Sequence, residues 1–258
     1  MKTIGAFFAK EMRSYFQAPT AYVVMAAFLL LAGFFFYDLL SSFAQTLSYY
    51  QYMAQNPGAM EQLNVNDLVV TPLFQNINVL LLLTVPLITM RIFAEEKKSG
   101  TDELILTSPV DIHEVVLGKF LAALAFYAIL LVLTFHFAAI LIKIGHPDMG
   151  KLLSNYVGLL LLGATFLSVG IFASALTANQ IVAAIISFAV LLLFWITGWL
   201  AEGVGAPYNK ILEYASITDH FEGFSRGLVR LPDVVFYVSL IVFFLFLTVR
   251  AVESARWR

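Results

Sequence analysis

The chain contains no cysteine. That excludes disulfides, thiolate metal sites and a cysteine nucleophile, and leaves the redox compartment open. Charge is also scarce. Asp, Glu, Lys and Arg make up 12% of the 258 residues, against about 25% in an ordinary soluble domain. The formal net charge of −2 is scattered between apolar runs and points to no nucleic-acid partner. Chemistry-bearing motifs are missing too. No phosphate loop of the form G-x-x-x-x-G-K-[ST] occurs, and Gly118-Lys119 has the wrong upstream context. His113-Glu114 is not followed by a second His at zinc-binding spacing, and no G-x-S-x-G elbow is present. The spans hold no set of charged residues such as a proton-driven carrier uses. The chain therefore reads as a non-enzyme without an energy source, and any work it performs must be supplied through a partner.

What is present is apolar surface. Hydrophobic residues make up 60%, with 24 Phe and 11 Tyr. Mean hydropathy is +0.86. This composition, read with the hydrophobic runs below, predicts an all-α integral membrane protein of six transmembrane helices preceded by an amphipathic interfacial helix, forming one transmembrane domain over 1–258. In residues 1–17, Ile4, Phe7, Phe8, Met12, Tyr15 and Phe16 recur at helical spacing, while Lys2, Lys10, Glu11 and Arg13 mostly take the other face. That pattern fits a helix lying in the interface rather than a frayed polar terminus. Ser14 to Tyr37 carries no charge and is longer than the roughly 7–15 residues of a signal-peptide core, so a cleaved leader is not expected. The first span is placed at Tyr22 to Leu40, close to the ~20 residues a bilayer core requires. Asp38 falls at its far end, where an aspartate is cheaply solvated, and that reading is preferred to a functional one.

Residues 41–72 read as a polar, Tyr- and Gln-rich connection with a turn at Asn56-Pro57-Gly58. The second span, Leu73 to Met90, is interrupted by Pro86, which suggests a kink. The third runs to about Ile142 and contains His136, read as hydrogen-bonded within the bundle or near an interface rather than as a proton relay. Leu152 to Ala201 has no charge at all. As one straight helix it would reach ~75 Å, more than twice the ~30 Å hydrocarbon core, so it must fold back. The only polar break is Thr177-Ala178-Asn179-Gln180, which makes spans four and five a hairpin. Gly170 with Ser174, and Ala164 with Ser168, have small-xxx-small spacing suited to close helix approach. Residues 202–233 are a second polar connection, and Val234 to Val249 form a shorter sixth span.

One long polar island, residues 91–119, lies between spans two and three. Gly100 breaks it. Thr101-Asp102-Glu103 supplies an N-cap and two acids for a short helix from Asp102 to Leu106. Ser108-Pro109 ends that helix. Asp111 and Glu114 have capping-box spacing, so a new helix should start near Ile112. Six spans put both termini and this island on one side. That side carries Lys2, Lys10, Arg13, Arg91, Lys97, Lys98, Lys119, Arg250, Arg256 and Arg258, whereas Lys143, Lys151, Lys210, Arg226 and Arg230 lie on the other. The bias predicts cytoplasmic termini, a cytoplasmic 91–119 segment, and extracytoplasmic connections at 41–72 and 202–233.

The segment from Arg91 to Leu104, with Ser108-Pro109 and Leu117-Gly118-Lys119, resembles the ABC type-2 exporter permeases over nearly the whole chain. The blocks from His220 to Leu228 and from Thr248 to Arg258 are similar to those of the gliding-motility-associated branch. The resemblance implies a coupling helix docking on a separate ATPase, carried here by Glu95, Glu96, Lys97, Gly100, Thr101, Glu103 and Leu104. It implies a second, shorter contact at Thr177, Asn179 and Gln180. It also implies two ATPase copies, a second permease, identical or homologous, packing through the first and fifth spans, and a bacterial inner-membrane location. No cofactor is expected on this chain, since ATP and Mg would sit on the ATPase. Beside membrane lipid, a periplasmic partner enters under a second reading, in which the subunit moves no cargo and transmits ATP-driven motion through its outer connections. An intramembrane enzyme would need a partner for His136 that the sequence does not show.

Overall fold

The structure is a computed structural model that describes residues 2–53, 64–103, 110–145, 147–203, 205 and 208–256. Among these residues there is no β-strand. In chain order the helices are α1 (Lys2–Gln17), α2 (Pro19–Met53), α3 (Thr71–Thr89), α4 (Ala94–Ser99), α5 (Ile112–Leu133), α6 (Phe135–Gly145), α7 (Met149–Leu176), α8 (Gln180–Gly203), α9 (Tyr208–Ala215), α10 (Ile217–Ser225) and α11 (Leu231–Arg256). A π-helical turn, Asn66–Val70, leads into α3. Six of these segments are long and apolar enough to cross a membrane. The protein is thus an all-α, multi-pass membrane protein.

The six spans divide into a centre and a rim. In the spans built on α3, α5 and α7, between 61% and 78% of the apolar window is buried within the chain. In α2, α8 and α11 the figure is only 17–28%. Helix α7 is the hub and packs against α3, α5, α8, α10 and α11. Its axis is held by polar ties in an apolar core, such as the Tyr127 hydroxyl of α5 donating to the Leu159 carbonyl at 2.6 Å. At one end of the bundle the Asp148 carboxylate caps α7 by accepting from the Gly150 amide, while Lys151 pairs with Asp67 at 2.8 Å.

Several boundaries differ from the sequence expectation. Helix α2 does not stop near Leu40 but continues to Met53. Its 35 residues extend to ~52 Å, well past a ~30 Å core, so Asp38 stands exposed inside a continuous helix, ~28 Å from its start. Part of the supposed 41–72 connection is therefore helix. The turn at 56–58 lies outside the described residues, as do 104–109. The third span is broken at Thr134, whose hydroxyl bonds back to the Leu131 carbonyl at 2.7 Å, separating α5 from α6. His136 is exposed, and its Nδ1 donates to the Leu133 carbonyl. The fold-back falls between Leu176 and Gln180, where the uncharged run required it. The sixth span is longer than expected, since α11 runs for 26 residues.

The 202–233 connection is not a surface loop throughout. Helix α10 sinks Ile217, Phe221 and Phe224 into the bundle. Its His220 stacks on Phe236 of α11 at 3.9 Å and binds the Asp233 carboxylate at 2.8 Å. Arg230 holds the other Asp233 oxygen at 2.8 Å. Helix α9 is the opposite case: it buries no residue and lies along α8.

A candidate coupling site at the terminal face

The site is built where α1, α4, the start of α5 and the α7–α8 turn converge, on the side that carries the chain's two ends. Helix α3 runs out at Thr89, and the chain turns through Met90 to Phe93 before α4 begins. No side chain within α4 caps its first turn. A residue from the hub does so instead. The Ser174 hydroxyl of α7 accepts from the amides of Phe93 (3.0 Å) and Ala94 (3.1 Å) and donates to the Met90 carbonyl (3.0 Å). Three orphan backbone groups are satisfied by one hydroxyl. Ser174 and Gly170 had the spacing of a packing pair. Gly170 does let Thr89 come close, but Ser174 is a tertiary helix cap.

Gly100 terminates α4 in the left-handed region at φ 70°, its amide bonded back to the Glu96 and Lys97 carbonyls. The Thr101 amide also reaches the Glu96 carbonyl, at 3.0 Å. This is the glycine stop that a helix end of this hand favours. Nothing crowds a Cβ at Gly100, so its requirement is conformational and not steric.

Under α4 lies a buried charge cluster. The Lys119 ammonium, with no exposed surface, is 2.8 Å from Glu11 Oε1 and 2.9 Å from Glu96 Oε2. It donates to the Ile92 carbonyl at 2.8 Å and lies over the Phe93 ring. Lys10 reaches the second Glu96 oxygen at 2.6 Å. The Glu96–Lys119 contact is an ion pair off the hydrogen-bonding direction, since Glu96 Oε2 accepts no hydrogen bond. Two ammonium groups and two carboxylates make the cluster neutral, which is what tolerates its burial. Burial pulls the Lys10 pKa down, but the hydrogen bond and charge of Glu96 outweigh it and hold the group above its ordinary value of 10.5. The cluster fastens three elements, α1, α4 and α5, at one point. Gly118 permits the close approach, because a Cβ there would meet Phe7 at 2.8 Å.

The expected contact residues therefore have distinct placements. Glu95 is exposed and Glu96 is buried in the cluster. Lys97 reaches across and donates to the Ala175 carbonyl at the end of α7. Thr101 and Glu103 are exposed beyond Gly100, and Leu104 lies outside the described residues. Thr177 and Asn179 are spent locally: the Asn179 side chain caps α8 by accepting from the Ile181 amide (3.0 Å), and Thr177 accepts from the Asn179 amide (3.1 Å). Gln180 is half-buried at the first position of α8. Through Lys97 and Ala175 the structure brings the two segments, 94–103 and 177–180, side by side.

Sequence reasoning missed Lys10, Glu11, Lys119 and Ser174 as members of this site. Glu11, assigned above to the polar face of α1, is buried. A signal was present: Glu11 stands four residues from both Phe7 and Tyr15, on the apolar stripe, where a carboxylate needs a partner. Among the described residues no group of His, Cys, Asp and Glu could hold a metal ion. In the cluster the described carboxylates and ammonium groups are paired with one another. What the arrangement offers is a rigid junction between a short exposed helix and the hub of the bundle.

Compared with known families, residues 6–249 match the one described as ABC-2 family transporter protein. No curated protein matches the chain.

Proposed function

The chain belongs to the ABC-2 transporter family, and from that premise we propose that it is the permease subunit of an exporter driven by ATP hydrolysis on a separate ATPase. Membership makes it a membrane component of an ABC transporter and implies an ATPase partner. The working complex would hold two ATPases, carrying ATP and Mg, and two permeases, with this chain in a bacterial inner membrane and its termini cytoplasmic. The resemblance to the gliding-motility-associated branch rests on the 220–228 and 248–258 blocks.

The observation that carries the proposal is the tie between Lys97 and Ala175 beside the Ser174 cap. It joins α4 and the α7–α8 turn into one exposed platform seated on the most buried helix. A push on Glu95, Thr101 or Glu103 would reach α7 without first bending a loop, because the caps and ion pairs leave little slack. The rim helices α2 and α8 expose large apolar side chains, Leu30, Phe34, Ile185 and Leu193 among them, which a second permease or lipid would cover.

The test is co-purification from native membranes with wild-type chain and with Glu95→Lys and Glu103→Lys variants. An ATPase bearing a phosphate loop should accompany the wild type and be depleted from both variants, while membrane insertion stays intact. Equal recovery of the ATPase would sink the assignment of those two residues, and its absence from the wild type would sink the coupling proposal itself.

A further inference from the structure

Arg91 stands at the junction of two cavities of opposite character. On one side is an apolar groove of about 290 Å³, open at its flank, lined by Pro19, Val23, Val24, Leu87, Ile88 and Phe126. On the other is a polar cleft of about 710 Å³ lined by Lys10, Arg13, Ser14, Gln17, Arg91 and one acid, Glu95. The two meet at Arg91, in the turn that leaves α3, which is the level where a membrane gives way to water.

The charges in the cleft do not cancel. Lys10 is committed to Glu96. Among the described residues neither Arg13 nor Arg91 forms an ion pair with a carboxylate. Arg91 spends only part of its donor set, one nitrogen on the Thr20 hydroxyl (3.1 Å) and one on the Ser14 carbonyl (3.2 Å). Tyr15 lies under its guanidinium at 5.3 Å. A guanidinium has five N–H donors in a fixed fork that suits phosphate oxygens. Counting Arg13, Arg91 and Glu95, the cleft keeps one net positive charge.

From this juxtaposition we infer that the α1–α2 junction is a binding site for an anionic membrane phospholipid, with the phosphate on Arg91 and Arg13 and one acyl chain in the groove. A headgroup of single negative charge neutralises the cleft. The groove is at the low end of small-ligand pockets, ~300 Å³, and its open flank lets the rest of the chain continue into the bilayer. Val23 is 67% exposed and Leu87 46%, so a lipid there replaces bilayer contacts and not protein ones. A water-soluble phosphate would use the cleft and leave the groove empty. The coupling of the two cavities favours the lipid. The inference holds whether or not an ATPase docks on α4.

The experiment is a titration of the purified full chain, in mild non-ionic detergent, with phosphatidylglycerol or phosphatidylcholine, read by native mass spectrometry and by thermal unfolding. Phosphatidylglycerol should be retained and should raise Tm, and phosphatidylcholine should do neither. Arg91→Gln should weaken phosphatidylglycerol binding about tenfold, the loss of one charge-assisted hydrogen bond. Val23→Trp, which fills the groove and leaves both arginines in place, should weaken it in the same direction. Glycerol phosphate in excess should not displace the lipid. Equal retention of the two lipids, wild-type affinity in both variants, or displacement by glycerol phosphate would each overturn the inference. Should Arg91→Gln fail to fold, Arg13→Gln, an exposed substitution that breaks no ion pair among the described residues, carries the same expectation.

Discussion

The Nζ of Lys119, wholly enclosed, lies 2.8 Å from Oε1 of Glu11, a residue more than a hundred positions earlier in the chain. A buried ammonium is tolerable only if its charge is matched nearby. Lys119→Met should therefore leave Glu11 and Glu96 facing one another without a cation between them. The expected cost is ~3–5 kcal/mol, the range for breaking a buried pair from one side. Thermal unfolding in detergent reads it. Replacing all three residues together, Lys119→Met with Glu11→Gln and Glu96→Gln, should recover most of the loss. A triple variant as unstable as the single one would show that the cluster contributes by packing and not by charge.

The Ser174 hydroxyl is a smaller group with a comparable reach. Ser174→Ala removes the acceptor of two amides and the donor to Met90 while adding no bulk. The loss should be about 1–3 kcal/mol of stability, that of buried polar groups left without partners. Hydrogen exchange at Phe93 and Ala94 should accelerate more than exchange in the middle of α7. Uniform acceleration across both helices would mean that the cap is not a local latch on α4.

These two residues show what was and was not legible in the sequence. Six spans, the fold-back before Gln180 and the helix start at Ile112 follow from runs of uncharged residues and from Asp111, whose carboxylate accepts from the His113 amide at 2.9 Å. Such signals are local, and hydropathy over ~20 residues reads them directly. Ser174 and Lys119 act across more than eighty and twenty-five residues of chain respectively, and no window contains both ends of those contacts. The long α2 was missed for a different reason. Tyr, Gln and Ser after Leu40 look like a loop by polarity, but they are adequate helix formers once a helix already extends from the membrane. Likewise α10 carries Asp219, His220 and Glu222 and reads as a connection, yet it is buried because His220 finds Asp233 and the Phe236 ring.

Gly100 separates conformational strain from crowding. Gly100→Val should destabilise α4's end by about 1–2 kcal/mol, the cost of a Cβ in the left-handed region. Gly100→Asn should cost less, because Asn tolerates that region. The comparison is made by thermal unfolding and by proteolysis after Lys98. Equal effects of Val and Asn would mean that the φ of 70° is not retained in the variants.

Lys10 gives the junction a pH signature. Its folded pKa lies above the ordinary value of 10.5, because Glu96 favours the charged form by more than burial opposes it. A raised cation contributes stability that is fully present below the unfolded pKa and is lost as pH rises through the folded one. The α1–α4 tie should therefore be level through neutral pH and weaken only above pH ~10.5. Lys10→Gln should remove that alkaline fall while lowering Tm slightly and evenly at neutral pH, since the side chain is half exposed and its pair is screened. The direct measurement is Tm against pH from 7 to about 11.5 for both proteins. Parallel curves would mean that the alkaline loss does not come from Lys10, and would leave it a surface contact that holds nothing in place.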